Sequence, residues 1–182
     1  MDENGEGVIV SAGDMKAHEI FEKISPATAA EIFVFLQKEE KPVFKAAIQG
    51  LANQRNLRPV FIERKPPEER HLWVQAALSR KIGDGVATHL LHTWLLGAQK
   101  EMLCDFLDAL EIPHDENGMV EDVPESPSKE KIAGAVSVLL AKYPAEFVAI
   151  YLRVFQAMDS AADWQPLDEI LNEEPRLQFA TR

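Results

Sequence analysis

Residues 35–51 read FLQKEEKPVFKAAIQGL, and this stretch decides the fold. An apolar pair comes first, a short polar break follows, and further apolar residues then step by three and four positions. That spacing places the later apolar side chains on one face of a helix. The break contains Pro42, which favours a turn between two helices. The stretch therefore predicts a helical hairpin.

The same pattern recurs twice further along the chain. Residues 94–110 read WLLGAQKEMLCDFLDAL, and residues 139–155 read LLAKYPAEFVAIYLRVF. All seven apolar positions of the first copy are apolar in the other two. Such a hairpin cannot bury its apolar stripe alone, so the hairpins must pack together. The copies begin 59 and 45 residues apart, which leaves open a true repeat or a generic bundle.

Capping and helix-breaking residues divide the rest of the chain into short helices. Ser25-Pro26 supplies an N-cap and a first-turn proline, and Gly83-Asp84-Gly85 interrupts a helical pattern. The longest stretch without helical periodicity is 112–128, with three prolines and an Asn-Gly turn signal. We therefore predict an all-α protein of eight to ten helices. It forms either an irregular helical bundle or a short array of antiparallel helical hairpins.

We predict a flexible N-terminal tail over residues 1–13 and a single helical domain over residues 14–182. A chain of 182 residues can bury a sizeable core without disulfides. Any subdivision of the domain is expected near the loop at 112–128. No apolar run approaches the length of a membrane span, so we expect no membrane association. The acidic N-terminus is unlike a secretory signal, and the single Cys104 suits a reducing compartment, so we predict a cytoplasmic protein.

The formal net charge of −11 is unevenly distributed. Residues 1–82 contain twelve acids and twelve bases, whereas residues 83–182 contain eighteen acids and seven bases. Residues 102–125 carry eight acids and no Lys or Arg. Such a field repels phosphate backbones and makes nucleic acid an unfavourable partner.

The acidic segment points instead to protein interaction. We predict a cytoplasmic helical interaction module, such as an adaptor, regulatory or assembly subunit, that binds a basic or amphipathic segment of another protein. The predicted partner-binding residues are Asp105, Asp108, Glu111, Asp115, Glu116, Glu121 and Asp122. The charge division also allows a homo-oligomer, in which the basic region 53–81 of one copy meets the acidic loop of another.

A metal-dependent enzyme or metal sensor is the alternative. His89 and His92 lie three residues apart on one predicted helix, so their rings can converge on a metal ion. His114, Asp115 and Glu116 would complete the site if the long loop folded back over that helix. No serine-hydrolase elbow, phosphate-binding loop or dinucleotide fingerprint occurs, so we expect no cofactor and no enzyme of those classes. Cys104 lies beside an apolar stripe and is predicted to be structural.

Basic residues interleaved with aromatic ones surround Pro59. This region contains Arg55, Arg58, Phe61, Arg64, Lys65, Arg70 and Trp73. The pattern can bind single-stranded nucleic acid or a phosphate, or pair with acids of the same or a neighbouring molecule.

A short segment of the chain resembles a known family. Ser25-Pro-Ala-Thr-Ala-Ala-Glu-Ile32, together with Lys38-Glu-Glu-Lys41 and Pro66-Pro-Glu-Glu69, is similar to the helical repeats of the N-terminal cytosolic domain of MgtE-type magnesium transporters. The resemblance implies helical repeats in this part of the chain, and no transporter segment follows it. We draw no function from it.

Overall fold

The computed structural model describes residues 15–157 and 164–180, so the predicted tail at 1–13 lies outside the described residues. Within those two ranges the chain forms ten α-helices, two short 3₁₀ helices and no strand, which confirms the all-α prediction. The α-helices are α1 (Ala17–Lys23), α2 (Pro26–Glu39), α3 (Lys41–Gln54), α4 (Pro59–Glu63), α5 (Pro67–Leu78), α6 (Asp84–Ala98), α7 (Lys100–Ala109), α8 (Lys129–Lys142), α9 (Ala145–Ala157) and α10 (Gln165–Glu173). The 3₁₀ helices are Lys81–Gly83 and Pro175–Leu177.

The three predicted hairpins correspond to the helix pairs α2–α3, α6–α7 and α8–α9. Glu40 alone separates the first pair, Gln99 alone separates the second, and Tyr143-Pro144 separates the third. The two helices of each pair are in contact, and every apolar position of the recurring pattern is buried or half-buried. The buried apolar side chains between Ile20 and Leu177 form one continuous cluster.

Helix α6 lies at the centre of the molecule and packs against α1, α2, α3, α5, α7 and α9. Its residue Trp94 is buried and meets Phe147 of α9 edge-on, with ring centroids 5.1 Å apart. Near the end of α6, a Cβ added at Gly97 would lie 2.6 Å from Cζ of Phe35 in α2. Gly97 therefore permits the close approach of α2 and α6. None of the helices in the described ranges is long and apolar enough to cross a membrane.

Two carboxylates join helices that are distant in sequence. Asp84, at the start of α6, accepts hydrogen bonds from the backbone N–H and from Nδ1 of His18 in α1, at 3.1 and 2.7 Å. Burial alone would raise the pKa of Asp84, but the hydrogen bonds from His18 outweigh it and lower that pKa. Glu146, at the start of α9, accepts the hydroxyl groups of Ser25 and Thr28 at the start of α2. Charge-assisted hydrogen bonds thus fix the N-termini of α2 and α6.

A buried glutamine holds the end of α1 against α5. Gln75 is 5% exposed, and its Nε2 donates to the carbonyl oxygens of Phe21 and Ile24, at 2.9 and 3.1 Å. The last carbonyl groups of a helix have no partner within that helix, so a side chain that reaches them completes the helix end. Gln75 therefore supplements the C-terminal end of α1 with two side-chain hydrogen bonds.

We predict that Gln75→Leu lowers the free energy of unfolding by about 1–3 kcal/mol, because buried carbonyl groups lose a donor. Urea denaturation followed by circular dichroism measures the change. Gln49→Leu is the matched control, because Gln49 on α3 is exposed and bonds only Asn53 among the described residues. Its change should stay within about 0.5 kcal/mol. Equal effects of the two substitutions would contradict the capping role of Gln75.

Candidate functional site

The loop that follows α7 leaves the helix in a defined direction. Glu111 takes a left-handed backbone conformation, with φ of 57°. The N–H of Ile112 donates to the carbonyl of Leu107, and the N–H of Glu111 donates to the carbonyl of Asp108. This pair of bonds is the Schellman motif that ends many helices. Ile112 is buried, so the beginning of the loop is held against the core.

The middle of the loop is a tight turn built round one carboxylate. Oδ1 of Asp115 accepts the backbone N–H groups of Asn117 and Met119, both at 2.9 Å. Gly118 has a φ of +75°, and a Cβ there would lie 2.7 Å from Cβ of Leu103 in α7. Only glycine satisfies both conditions without strain. The Asn-Gly turn signal of the sequence therefore marks a turn that presses closely on α7.

The end of the loop is attached to the core as well. Trp164 precedes α10 and is only 1% exposed. Its indole N–H donates to the carbonyl of Pro124 at 3.1 Å. Ser128 then caps α8 by accepting the N–H of Lys131. The loop is thus anchored at its beginning, middle and end, although it contains no helix or strand.

An apolar cavity of about 180 Å³ lies under this loop. Helices α6, α7 and α9 form its floor, and loop residues 118–120 and 123 cover it. Its lining consists of His92, Leu95, Leu96, Leu103, Gly118, Met119, Val120, Val123, Tyr151, Val154 and Phe155. Met119 is also 45% exposed to solvent, so part of this apolar lining is accessible from outside.

Four of the predicted partner-binding acids are engaged within the chain. Asp105 accepts Nζ of Lys142 at 2.8 Å and the hydroxyl of Tyr143 at 2.6 Å. Asp108 pairs with His114, Glu111 pairs with Lys131, and Asp115 holds its own turn. Burial alone would raise the pKa of Asp105, but the hydrogen bonds from Lys142 and Tyr143 outweigh it and lower that pKa. These four acids therefore hold α7, α8 and the loop together.

The other three predicted acids lie on the loop, close in sequence to residues that line the cavity. Glu116, Glu121 and Asp122 are exposed, and each is one or two residues away from a residue that lines the cavity. In the ranges that the structure describes, no ion pair involves any of the three. We name the cavity together with these three carboxylates the acidic pocket.

The predicted metal ligands divide between two places. His92 lines the cavity, and burial together with the charge of the neighbouring His89 lowers its pKa. His89 is exposed. His114 is hydrogen-bonded to Asp108 and to the carbonyl of Asp115. Over the described part of the chain, no three or more His, Cys, Asp and Glu residues form a group that could hold a metal ion. The geometry does not favour the metal hypothesis, which stays a prediction.

Cys104 is a poor candidate for a nucleophile. Burial raises the pKa of its thiol, and the nearby carboxylates of Asp108 and Asp105 raise it further. Its sulfur lies 3.8 Å from the carbonyl oxygen of Glu116, to which the thiol donates. A thiol held protonated in this way lacks the thiolate character of a reactive cysteine.

Most of the basic residues around Pro59 contact other side chains or carbonyl groups of the same region. The guanidinium of Arg55 and the ammonium of Lys65 lie 4.1 and 4.0 Å from the ring centroid of Trp73. Lys65 also pairs with Glu69, and Arg70 donates to the carbonyl of Glu63. Trp73 therefore packs against the core and also contacts two cations. The sequence indicated this cluster of residue types but not which of them pair.

Comparisons with known proteins add no relative. No protein-family model matches the chain, and neither the curated proteins nor the solved structures include a match. The resemblance of residues 25–69 to magnesium-transporter repeats receives no support from these comparisons.

We predict that Gly118→Ala lowers the free energy of unfolding by about 1–3 kcal/mol, because alanine is strained at this φ and meets Leu103. Gly134→Ala is the matched control. A Cβ at Gly134, inside α8, would have no atom within 4 Å, so alanine should stabilise the helix by about 0.5–1 kcal/mol. Urea denaturation measures both changes. A neutral or stabilising Gly118→Ala would contradict the described turn.

The pKa of His114 should lie above the ordinary value of 6.5, because its two ring nitrogens contact the carbonyl of Asp115 and the carboxylate of Asp108. The imidazolium therefore stabilises the loop fully below pH 6.5, and this contribution is lost as the pH rises through the raised pKa. The pKa of His92 should shift in the opposite direction. NMR titration of the imidazole signals measures both. A pKa of His114 at or below that of His92 would contradict the described contacts.

Proposed function

We propose that this chain is a protein-interaction module whose acidic pocket receives a basic amphipathic segment. The observation that supports the proposal is the coincidence of an apolar cavity with three exposed carboxylates that have no described ion-pair partner. Interfaces commonly gain most of their binding energy where an apolar anchor fills such a pocket and charges surround it.

The size of the cavity suits one aliphatic or aromatic side chain. Engineered apolar cavities of about 150 Å³ bind a molecule as large as benzene, and this cavity measures about 180 Å³. The partner chemistry that fits is therefore an amphipathic segment that offers an apolar anchor with Lys or Arg beside it. The anchor would enter under Met119, while its flanking cations meet Glu116, Glu121 and Asp122.

A designed peptide tests the proposal. We expect binding of an amphipathic peptide of about 16 residues, with Leu and Phe at i, i+3, i+4 and i+7 and Lys elsewhere. Isothermal titration calorimetry measures its affinity. The triple variant Glu116→Gln, Glu121→Gln and Asp122→Asn should weaken binding about tenfold, because three rim charges are removed at once. Val120→Phe, which fills the cavity, should weaken it as well.

A matched variant and a second peptide serve as controls. Glu22→Gln, Glu31→Gln and Glu39→Gln remove three exposed acids from α1 and α2, and should leave the affinity unchanged. A peptide of the same composition in scrambled order should bind more weakly, because its apolar residues no longer share a face. The proposal fails if both triple variants weaken binding equally, or if the scrambled peptide binds as well.

A further inference from the structure

Helix α4 presents an exposed aromatic residue between two arginines. Phe61 is 57% exposed, whereas its neighbour Ile62 is fully buried and anchors the helix to the core. Arg58 lies immediately before α4, and Arg64 lies immediately after it. Each is three residues from Phe61, so an exposed cation follows and precedes the aromatic residue at either end of α4. We name Arg58, Phe61 and Arg64 the Phe61 patch.

The two arginines of the Phe61 patch differ from the other cations around them. Arg55 and Lys65 lie on Trp73, and Arg70 is hydrogen-bonded to Glu63. Arg58 and Arg64 are exposed, and in the described ranges neither side chain forms an ion pair or a hydrogen bond that would neutralise it. Leu57 and Val60 extend the exposed apolar surface beside Phe61. The patch therefore offers one apolar anchor flanked by two available cations.

The acidic pocket is complementary to the Phe61 patch, with a cavity in place of the apolar anchor and carboxylates in place of the cations. It has an apolar cavity that fits an aromatic ring, and three carboxylates beside it. The cavity is lined only by residues between His92 and Phe155, and no ion pair among the described residues joins the Phe61 patch to the acids of the pocket. Within one chain, the Phe61 patch therefore neither lines the cavity nor pairs with the carboxylates of the acidic pocket.

We propose that the occupant of the acidic pocket is the Phe61 patch of a second copy of this chain. This inference rests on the proposed function of the pocket and names its partner. Phe61 enters the cavity, while Arg58 and Arg64 meet Glu116, Glu121 and Asp122. Because the two surfaces differ, the contact is head to tail, and it joins copies into an open chain or a closed ring.

The charge division of the sequence favours this arrangement over a symmetric one. Residues 1–82 have equal numbers of acids and bases, and residues 83–182 carry the whole net charge of −11. Two copies that met through their acidic halves would repel each other. A head-to-tail contact instead places the neutral half of one copy, with its basic patch, against the acidic half of the next.

Two variants that each lose one surface test the inference. The patch variant is Arg58→Gln, Phe61→Ser and Arg64→Gln, and the pocket variant is Glu116→Gln, Glu121→Gln and Asp122→Asn. Sedimentation velocity from about 10 μM to about 1 mM should show that the mass of the unaltered chain rises with concentration. Each variant alone should associate at least tenfold more weakly. An equimolar mixture of the two variants should form dimers and nothing larger. The intact pocket of the patch variant can bind the intact patch of the pocket variant, and no further contact is then possible.

A matched control removes similar residues elsewhere. Arg80→Gln, Lys81→Gln and Ile82→Ser replace two bases and an apolar residue that is 79% exposed, and should leave association unchanged. Far-ultraviolet circular dichroism and thermal melting establish that all variants fold, as expected for substitutions of exposed residues.

The outcomes separate the two proposals. An unaltered chain that stays monomeric at every concentration, or variants that fail to dimerise when mixed, would overturn the inference. If the designed basic peptide still bound a chain that stays monomeric, the proposed function would stand although the self-association had been overturned. If the peptide bound the pocket and dissociated the assemblies, both would be supported. If the peptide did not bind but copies still associated, the proposed binding of basic segments in general would fail. The contact between the Phe61 patch and the acidic pocket of a second copy would still be supported.

Discussion

Helix α6 has to bury one continuous apolar face, and the rest of the molecule is arranged to meet that requirement. Ala87, Leu90, Leu91, Trp94 and Leu95 are all buried, and they face helices from both halves of the chain. Burial of apolar area is the main favourable contribution to folding, so a helix of this kind organises its neighbours. Asp84 at its start and Gly97 near its end then fix α1 and α2 against it.

The same helix supplies part of the acidic pocket. His92, Leu95 and Leu96 belong to α6 and form part of the cavity wall, while α7 and α9 complete it. The position of the cavity therefore follows from the packing of α6, and the loop at 112–128 only covers it. Because this loop is anchored by Ile112, Asp115 and Pro124, an exposed segment without helices keeps a defined shape. A preorganised surface loses less conformational entropy when it binds.

Much of this architecture was predictable from the sequence. The step of three and four residues between Val43, Phe44, Ala47 and Ile48 recurs in both later copies, and hydrophobic periodicity is a local property of the chain. The turn at Gly118 was equally visible, because its residue types specify it.

The pairing of charges was not predictable. Asp105 and Lys142 are 37 residues apart, and only the packing of α7 on α8 brings them together. The cavity was not predictable either, because it depends on how closely three helices and a loop pack together.

The proposed binding site for a basic amphipathic segment is the surface formed by the cavity and the loop at 118–123. Methyl NMR spectra recorded while such a peptide is added test it most directly, because every Leu, Val, Ile and Met residue reports on its own surroundings. If the segment binds there, the signals of Leu103, Met119 and Val120 shift first and furthest, and those of the exposed residues Val34 and Ile82, which do not line the cavity, stay in place. Shifts centred on Val34 or Ile82, or no shift near Met119, would contradict it.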